Sequence, residues 1–150
     1  MSAATAHSLD DIRSTFAFFD DWQDKYRFLI DIGRGLDELP TSDKREENLV
    51  RGCQSQVWLT SRFDARHDRV HLAIDSDAHI VRGLIAIVLA AYEGRSPREI
   101  LDFDVQALFA ELDLMNHLSP TRGNGLNAMV GRIRSIASDY AESAVQSSSG

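Results

Sequence analysis

Gln56-Val-Trp-Leu-Thr-Ser-Arg-Phe63, the polar Asp64-Ala-Arg-His-Asp68 and Arg69-Val-His-Leu-Ala-Ile74 stand in succession, and Asp75-Ser-Asp77 leads from them into the run Ala78 to Tyr92. Val70, Leu72 and Ile74 alternate with Arg69, His71 and Ala73, the period of two that marks a half-buried strand. Gln56 to Phe63 reads as the partner strand, and the polar residues between them as the loop of a hairpin. Ala78 to Tyr92 is apolar nearly all round and too long for an ordinary strand, so it reads as a buried central helix capped from Asp75-Ser-Asp77. A hairpin that feeds a buried helix indicates an α+β domain with a small antiparallel sheet packed against helices.

Helices flank this centre on both sides. Ser8-Leu-Asp-Asp11 has the side chains to cap a first helix, with Ile12, Phe16 and Phe19 at helical spacing. Asp20-Asp21 interrupts it, and a second helix carries Trp22, Tyr26, Leu29 and Ile30 on one stripe before fading through Gly33, Gly35 and Leu39-Pro40. Thr41 to Asn48 is charged and accommodates one short helical turn. Leu49 to Cys53 then runs into the first strand. Beyond the central helix, Ser96-Pro97-Arg98-Glu99 is a full capping box with proline at the first helical position. A short helix is expected over Val105 to Leu112. A last one follows Ser119-Pro120, with Leu126, Met129, Val130, Ile133 and Ile136 on one face. The tail from Ser143 is expected to fray. No linker or repeat divides the chain, so 1–150 reads as a single domain with its core over about 9–140.

Composition agrees with one core. A chain of 150 residues buries roughly 70% of the surface that its unfolded form exposes. The 16 lysines and arginines are interspersed with 23 aspartates and glutamates, for a net charge of −7, which argues against nucleic acid as a partner because phosphate binding needs concentrated positive charge. The longest uncharged apolar stretch, Gly83 to Tyr92, is about half of what a bilayer requires. Met1 to His7 has neither the basic start nor the apolar core of a secretory signal, so a cytoplasmic location is expected.

Chemistry centres on Cys53. As the sole cysteine it excludes an intramolecular disulfide and any site that needs two thiolates from this chain. It is either a small buried hydrophobe or, lying between Gly52 and Gln54-Ser55-Gln56, a thiol presented at a bend. Arg51, two positions away, falls on the same side in extended geometry and could lower the thiol pKa. The five histidines show no paired ligand spacing. A cysteine hydrolase with His71, His79 or His117 as base is a rival reading, but no spacing selects the base.

Arg51-Gly-Cys-Gln-Ser-Gln-Val-Trp58 resembles the cysteine motif of the SufE family of sulfur-acceptor proteins. The similarity extends to Phe18-Phe-Asp-Asp-Trp22 with Tyr26 and Leu29, to Glu46-Glu-Asn-Leu-Val50, to Asp75-Ser-Asp-Ala-His-Ile-Val-Arg-Gly-Leu84 and to His117-Leu-Ser-Pro-Thr-Arg-Gly-Asn-Gly-Leu126. The resemblance implies a fold like that of the IscU-type iron–sulfur scaffolds, with the cysteine on a loop at one end of the sheet. It implies that Cys53 accepts persulfide sulfur from a cysteine desulfurase of SufS or CsdA type, that the chain stimulates this partner, and that the sulfur passes to an iron–sulfur scaffold or another acceptor. Arg122, from the Ser-Pro-x-Arg segment, is implied to lie near the cysteine and ranks above Arg51 as the stabilising cation. Asp77 is implied at the partner contact, with an N-cap as its other reading; Gly52, Gln54 and Ser55 are candidates for the same contact, while Gln54, Ser55 and Gln56 either hydrogen-bond around the sulfur or simply turn the chain back into a strand. No cofactor is expected on this chain; the pyridoxal phosphate belongs to the partner. One cysteine is too few to hold a cluster, so a carrier is expected rather than a scaffold. A non-catalytic adaptor and a branch toward tRNA modification stay open, as does a homodimer. A pocket shielding Cys53 in the free protein would protect a persulfide and slow its alkylation.

Overall fold

The computed structural model describes residues 8–53 and 55–149, with side chains described to residue 143. Two helices, a hairpin and four further helices follow in order: α1 Leu9–Phe18, α2 Trp22–Arg34, β1 Val57–Asp64, β2 Arg69–Ser76, α3 His79–Tyr92, α4 Pro97–Asp102, α5 Val105–Glu111 and α6 Pro120–Ser149. Single 3-10 turns at Thr41–Asp43 and Glu46–Asn48 fill the charged segment before the hairpin. This is the α+β architecture expected from the sequence.

β1 and β2 pair antiparallel, with Leu59 opposite Ile74 and Phe63 opposite Val70. Leu49 bridges to Trp58 on the outer side of β1, and Arg95 bridges to Val70 on the outer side of β2. One face of the hairpin buries Leu59, Val70, Leu72 and Ile74. α3 packs against β2 and against α2, burying Leu84, Ile85, Ile87 and Val88, each such side chain worth roughly 1.5–3 kcal/mol. α6 lies alongside α4, buries Leu126, Met129, Val130 and Ile133, and reaches the sheet through Tyr140, which stacks on Phe63 at 4.9 Å and shares a 3.1 Å hydrogen bond with Ser61.

The capping boxes expected at Ser8 and Ser96 both form. Three details differ from expectation. α1 ends at Phe18, so Phe19 is its extended C-cap rather than part of its apolar face; Phe18 is left 79% exposed. On α2 the buried residues are Leu29, Ile32 and Gly33, while Trp22, Tyr26 and Ile30 flank the core half-buried, because the helix must turn its glycine toward α3. The N-cap of α3 is Ala78, without a side-chain cap; Asp75 and Asp77 are engaged in longer-range contacts instead. α6 itself runs from Pro120 to Ser149.

Asp75 is the main buried charge. Its carboxylate pairs with Arg82, accepts from the backbone of Leu39 at 3.1 Å and lies 3.6 Å from the Lys44 ammonium. The Arg82 guanidinium also donates to the Gly33 and Leu36 carbonyls at 3.1 and 2.8 Å. This network ties the C-terminal end of α2 to the junction of β2 and α3.

Candidate functional site

Cys53 lies on a loop whose two ends are anchored while its tip faces α6. On the leading side, Val50 donates to the Val57 carbonyl at 2.8 Å, and Arg132 of α6 donates to the carbonyls of Leu49 and Glu47 at 3.3 and 3.4 Å. On the trailing side, Gln56 donates to the Asp77 carboxylate at 3.1 Å and accepts from the Asp77 backbone at 3.3 Å. Asp77 therefore fastens the cysteine loop to the start of α3, and the capping role read for it does not occur. Between these anchors Gly52 takes φ +93°, a left-handed conformation that glycine adopts without the steric cost other residues meet.

That bend overturns the expectation for Arg51. Extended alternation would have placed Arg51 beside Cys53; the turn at Gly52 sends it outward, where it meets Glu46 at 3.8 Å, both side chains being largely exposed. Gln54 falls outside the described residues.

The Cys53 side chain is partly buried and lines a cavity of about 70 Å³ with Ser55, Val57, Val81, Leu84, Thr121, Arg122, Gly125, Leu126 and Met129. Its thiol donates to the Gly125 carbonyl at 3.6 Å, and a Cβ built on Gly125 would come within 3.3 Å of the sulfur. The close contact thus needs a glycine on α6. Arg122 stands on the first turn of the same helix and donates to the Tyr26 hydroxyl at 2.5 Å. Of the sequence candidates, the structure brings Cys53, Ser55 and Arg122 to one cavity and leaves Arg51 outside it. Gly125, Met129 and Tyr26 are additions that the sequence reading does not assign to the site. Spacing held the signal for the first two, since 122, 125 and 129 recur at helical intervals on one face.

Burial pushes the Cys53 thiol above its usual pKa. Desolvation penalises the thiolate, and the hydrogen bond to the Gly125 carbonyl requires the protonated form. The resting state is therefore a sheltered thiol. Alkylation of Cys53 by iodoacetamide is expected to be slower in the folded protein than in urea-unfolded protein, and the midpoint of its rate–pH curve is expected to lie higher. Coincident curves would show that the cavity does not shelter the sulfur.

Among the described residues no histidine lines this cavity. His71 hydrogen-bonds Glu93 at 2.8 Å, and His117 stacks on Trp22 at 4.2 Å. The hydrolase reading has no base in place at the cavity wall. No group of three or more histidine, cysteine, aspartate or glutamate side chains that could hold a metal stands together among the described residues, and no helix among them is long and apolar enough to cross a membrane.

Comparison with known proteins matches the family model described as "SufE: Fe-S metabolism associated domain" to residues 10–137. An uncharacterized SufE-like protein of Rhizobium meliloti is 46% identical over 132 residues, covering 87% of this chain and 94% of the relative. Another, of Rhizobium etli, is 47% identical over 132 residues, covering 87% and 89%. The solution structure of a hypothetical protein from Thermus thermophilus superposes with a TM-score of 0.69 at 18% identity, over 87% of this chain and 93% of that one, a likeness of fold.

Proposed function

Since the chain belongs to the SufE family, whose general role is to accept and carry sulfur for iron–sulfur metabolism in partnership with a cysteine desulfurase, we propose that Cys53 is the acceptor and a SufS- or CsdA-type enzyme the donor. The observation that carries this reading is the position of the thiol. The chain's one cysteine sits on an anchored loop, at a cavity it shares with Arg122.

The chemistry is a transpersulfidation. Cys53 gives up its proton, and the thiolate attacks the outer sulfur of the donor persulfide. A bond forms between Cys53 Sγ and that sulfur while the donor's sulfur–sulfur bond breaks; the donor leaves as a thiolate and takes up a proton. No net oxidation or reduction occurs. Arg122 supplies a cation for the thiolate and for the persulfide that follows. The free protein holds the thiol protonated in the cavity, so docking on the desulfurase must bring the loop outward before attack. The same cavity then shields the loaded sulfur from small thiols on its way to an iron–sulfur scaffold.

Intact-protein mass after incubation with a pyridoxal-phosphate desulfurase and free cysteine tests the assignment. Wild type is expected to gain one sulfur that reductant removes, and Cys53→Ser none. A Cys53→Ser variant that still stimulates the desulfurase fully would replace the carrier with an adaptor. Wild type that gains nothing from an active desulfurase would sink the relay.

A further inference from the structure

Trp22 and Tyr26 stand one turn apart on the first half of α2, so both side chains leave the same face of that helix. Each reaches the connection that precedes α6 or its first turn. Trp22 stacks on His117 with ring centroids 4.2 Å apart and an interplanar angle of 18°. The Tyr26 hydroxyl accepts a hydrogen bond from the Arg122 guanidinium at 2.5 Å. Between these two points the backbone N–H of Arg122 donates to the Ser119 hydroxyl at 3.2 Å, which starts α6.

Arg122 lines the Cys53 cavity but is solvent-exposed. A guanidinium on a long flexible stem in that position samples many rotamers, and its effect on a sulfur anion depends on where the charge rests. The Tyr26 contact is the hydrogen bond the Arg122 side chain makes in the structure. It comes from an element 96 residues away in sequence whose helix is locked into the core by Leu29 and Ile32. The bond therefore transfers the rigidity of α2 to the tip of an exposed arginine.

Resting on the sulfur-acceptor reading above, we propose that Tyr26 is a positioning residue for sulfur transfer, acting through Arg122. Its hydroxyl accepts from the guanidinium and leaves the remaining N–H donors free for the thiolate during attack and the terminal sulfur afterwards. Tyr26 itself touches neither sulfur. A hydrogen bond to a charged group that orients it in the transition state carries about a tenfold effect on rate.

The experiment is single-turnover transfer from a persulfide-loaded desulfurase, quenched and read by intact mass, for wild type, Tyr26→Phe, Arg122→Ala and the double variant. Tyr26→Phe is expected to lower the transfer rate at saturating desulfurase about tenfold, while the half-saturating concentration and the melting temperature stay at their wild-type values. Arg122→Ala is expected to lose at least as much, and the double variant to match Arg122→Ala alone, because a residue that acts through another contributes nothing once that other is gone. A wild-type rate for Tyr26→Phe or for Arg122→Ala overturns the proposal. So does a double variant in which the two losses multiply, which would give Tyr26 an ordinary packing role. A wild-type protein that takes up no sulfur on Cys53 overturns the acceptor reading as well; a normal wild type with uncoupled variants overturns the positioning role alone.

Discussion

Gly83→Ala is expected to cost the protein about 3 kcal/mol or more, lowering its melting temperature by roughly 10 °C. α2 and α3 meet backbone to backbone where Gly33 and Gly83 face each other. A Cβ built on Gly83 would collide with the carbonyl group of Leu29, and one built on Gly33 would lie 2.6 Å from the Gly83 nitrogen and 2.9 Å from the Arg82 carbonyl carbon. Backbone atoms cannot rotate aside as a side-chain tip does, so the helices must separate. Separation would open the contacts of Leu29, Leu84 and Ile85, all fully buried. The same substitution at Gly131 makes a sharp control. A Cβ there meets nothing within 4 Å, it lies inside α6, and alanine is the better helix former by up to about 1 kcal/mol. Thermal melts of the two variants are expected to move in opposite directions. A Gly83→Ala melt within a degree or two of wild type would mean that the two helices do not approach this closely.

The pair Gly33 and Gly83 also shows where sequence reading stops. Both glycines were visible, yet Gly33 read as the place where α2 fades. A close crossing is a relation between two helices 50 residues apart, and neither helix announces it alone. The hairpin, the capping boxes and the apolar face of α6 were legible because each is written in residues within a few positions of one another. Cys53 and Arg122 were legible as a pair only through their resemblance to a family motif; spacing alone left the thiol with two readings. Arg51 was misplaced for a local reason, since one left-handed glycine cancels the alternation on which its placement relied. Asp75 and Asp77 were misread for the opposite reason. Their sequence neighbours make a plausible cap, but stronger partners lie elsewhere: Arg82 and Leu39 for one, Gln56 for the other.

Asp75→Ala follows from that correction, with an expected loss of about 3–5 kcal/mol. The Asp75 side chain is 1% exposed and that of Arg82 only 11%, so removing the carboxylate strands a guanidinium in a site from which water is largely excluded. Two of its donors keep the carbonyls of Gly33 and Leu36, but dipoles of this kind do not neutralise a full charge. The Leu39 and Ser76 amides also lose their acceptor, each costing about 1–3 kcal/mol if left buried and unpaired. Lys44→Ala provides the comparison. Its side chain is 31% exposed and its ammonium sits 3.6 Å from the same carboxylate, a screened contact expected to contribute about 1 kcal/mol or less. Urea unfolding of the two variants is expected to rank Asp75→Ala far below Lys44→Ala. Equal and small losses would show that the network does not bear on the fold. The consequence reaches the site through the short stretch of chain between Asp75 and Asp77. Asp75 fixes the end of β2 and Asp77 holds Gln56, so a loosened junction frees the trailing end of the Cys53 loop. Asp75→Ala is therefore expected to speed alkylation of Cys53 in protein that is still folded, an effect that Lys44→Ala lacks because it leaves the Asp75–Arg82 pair in place.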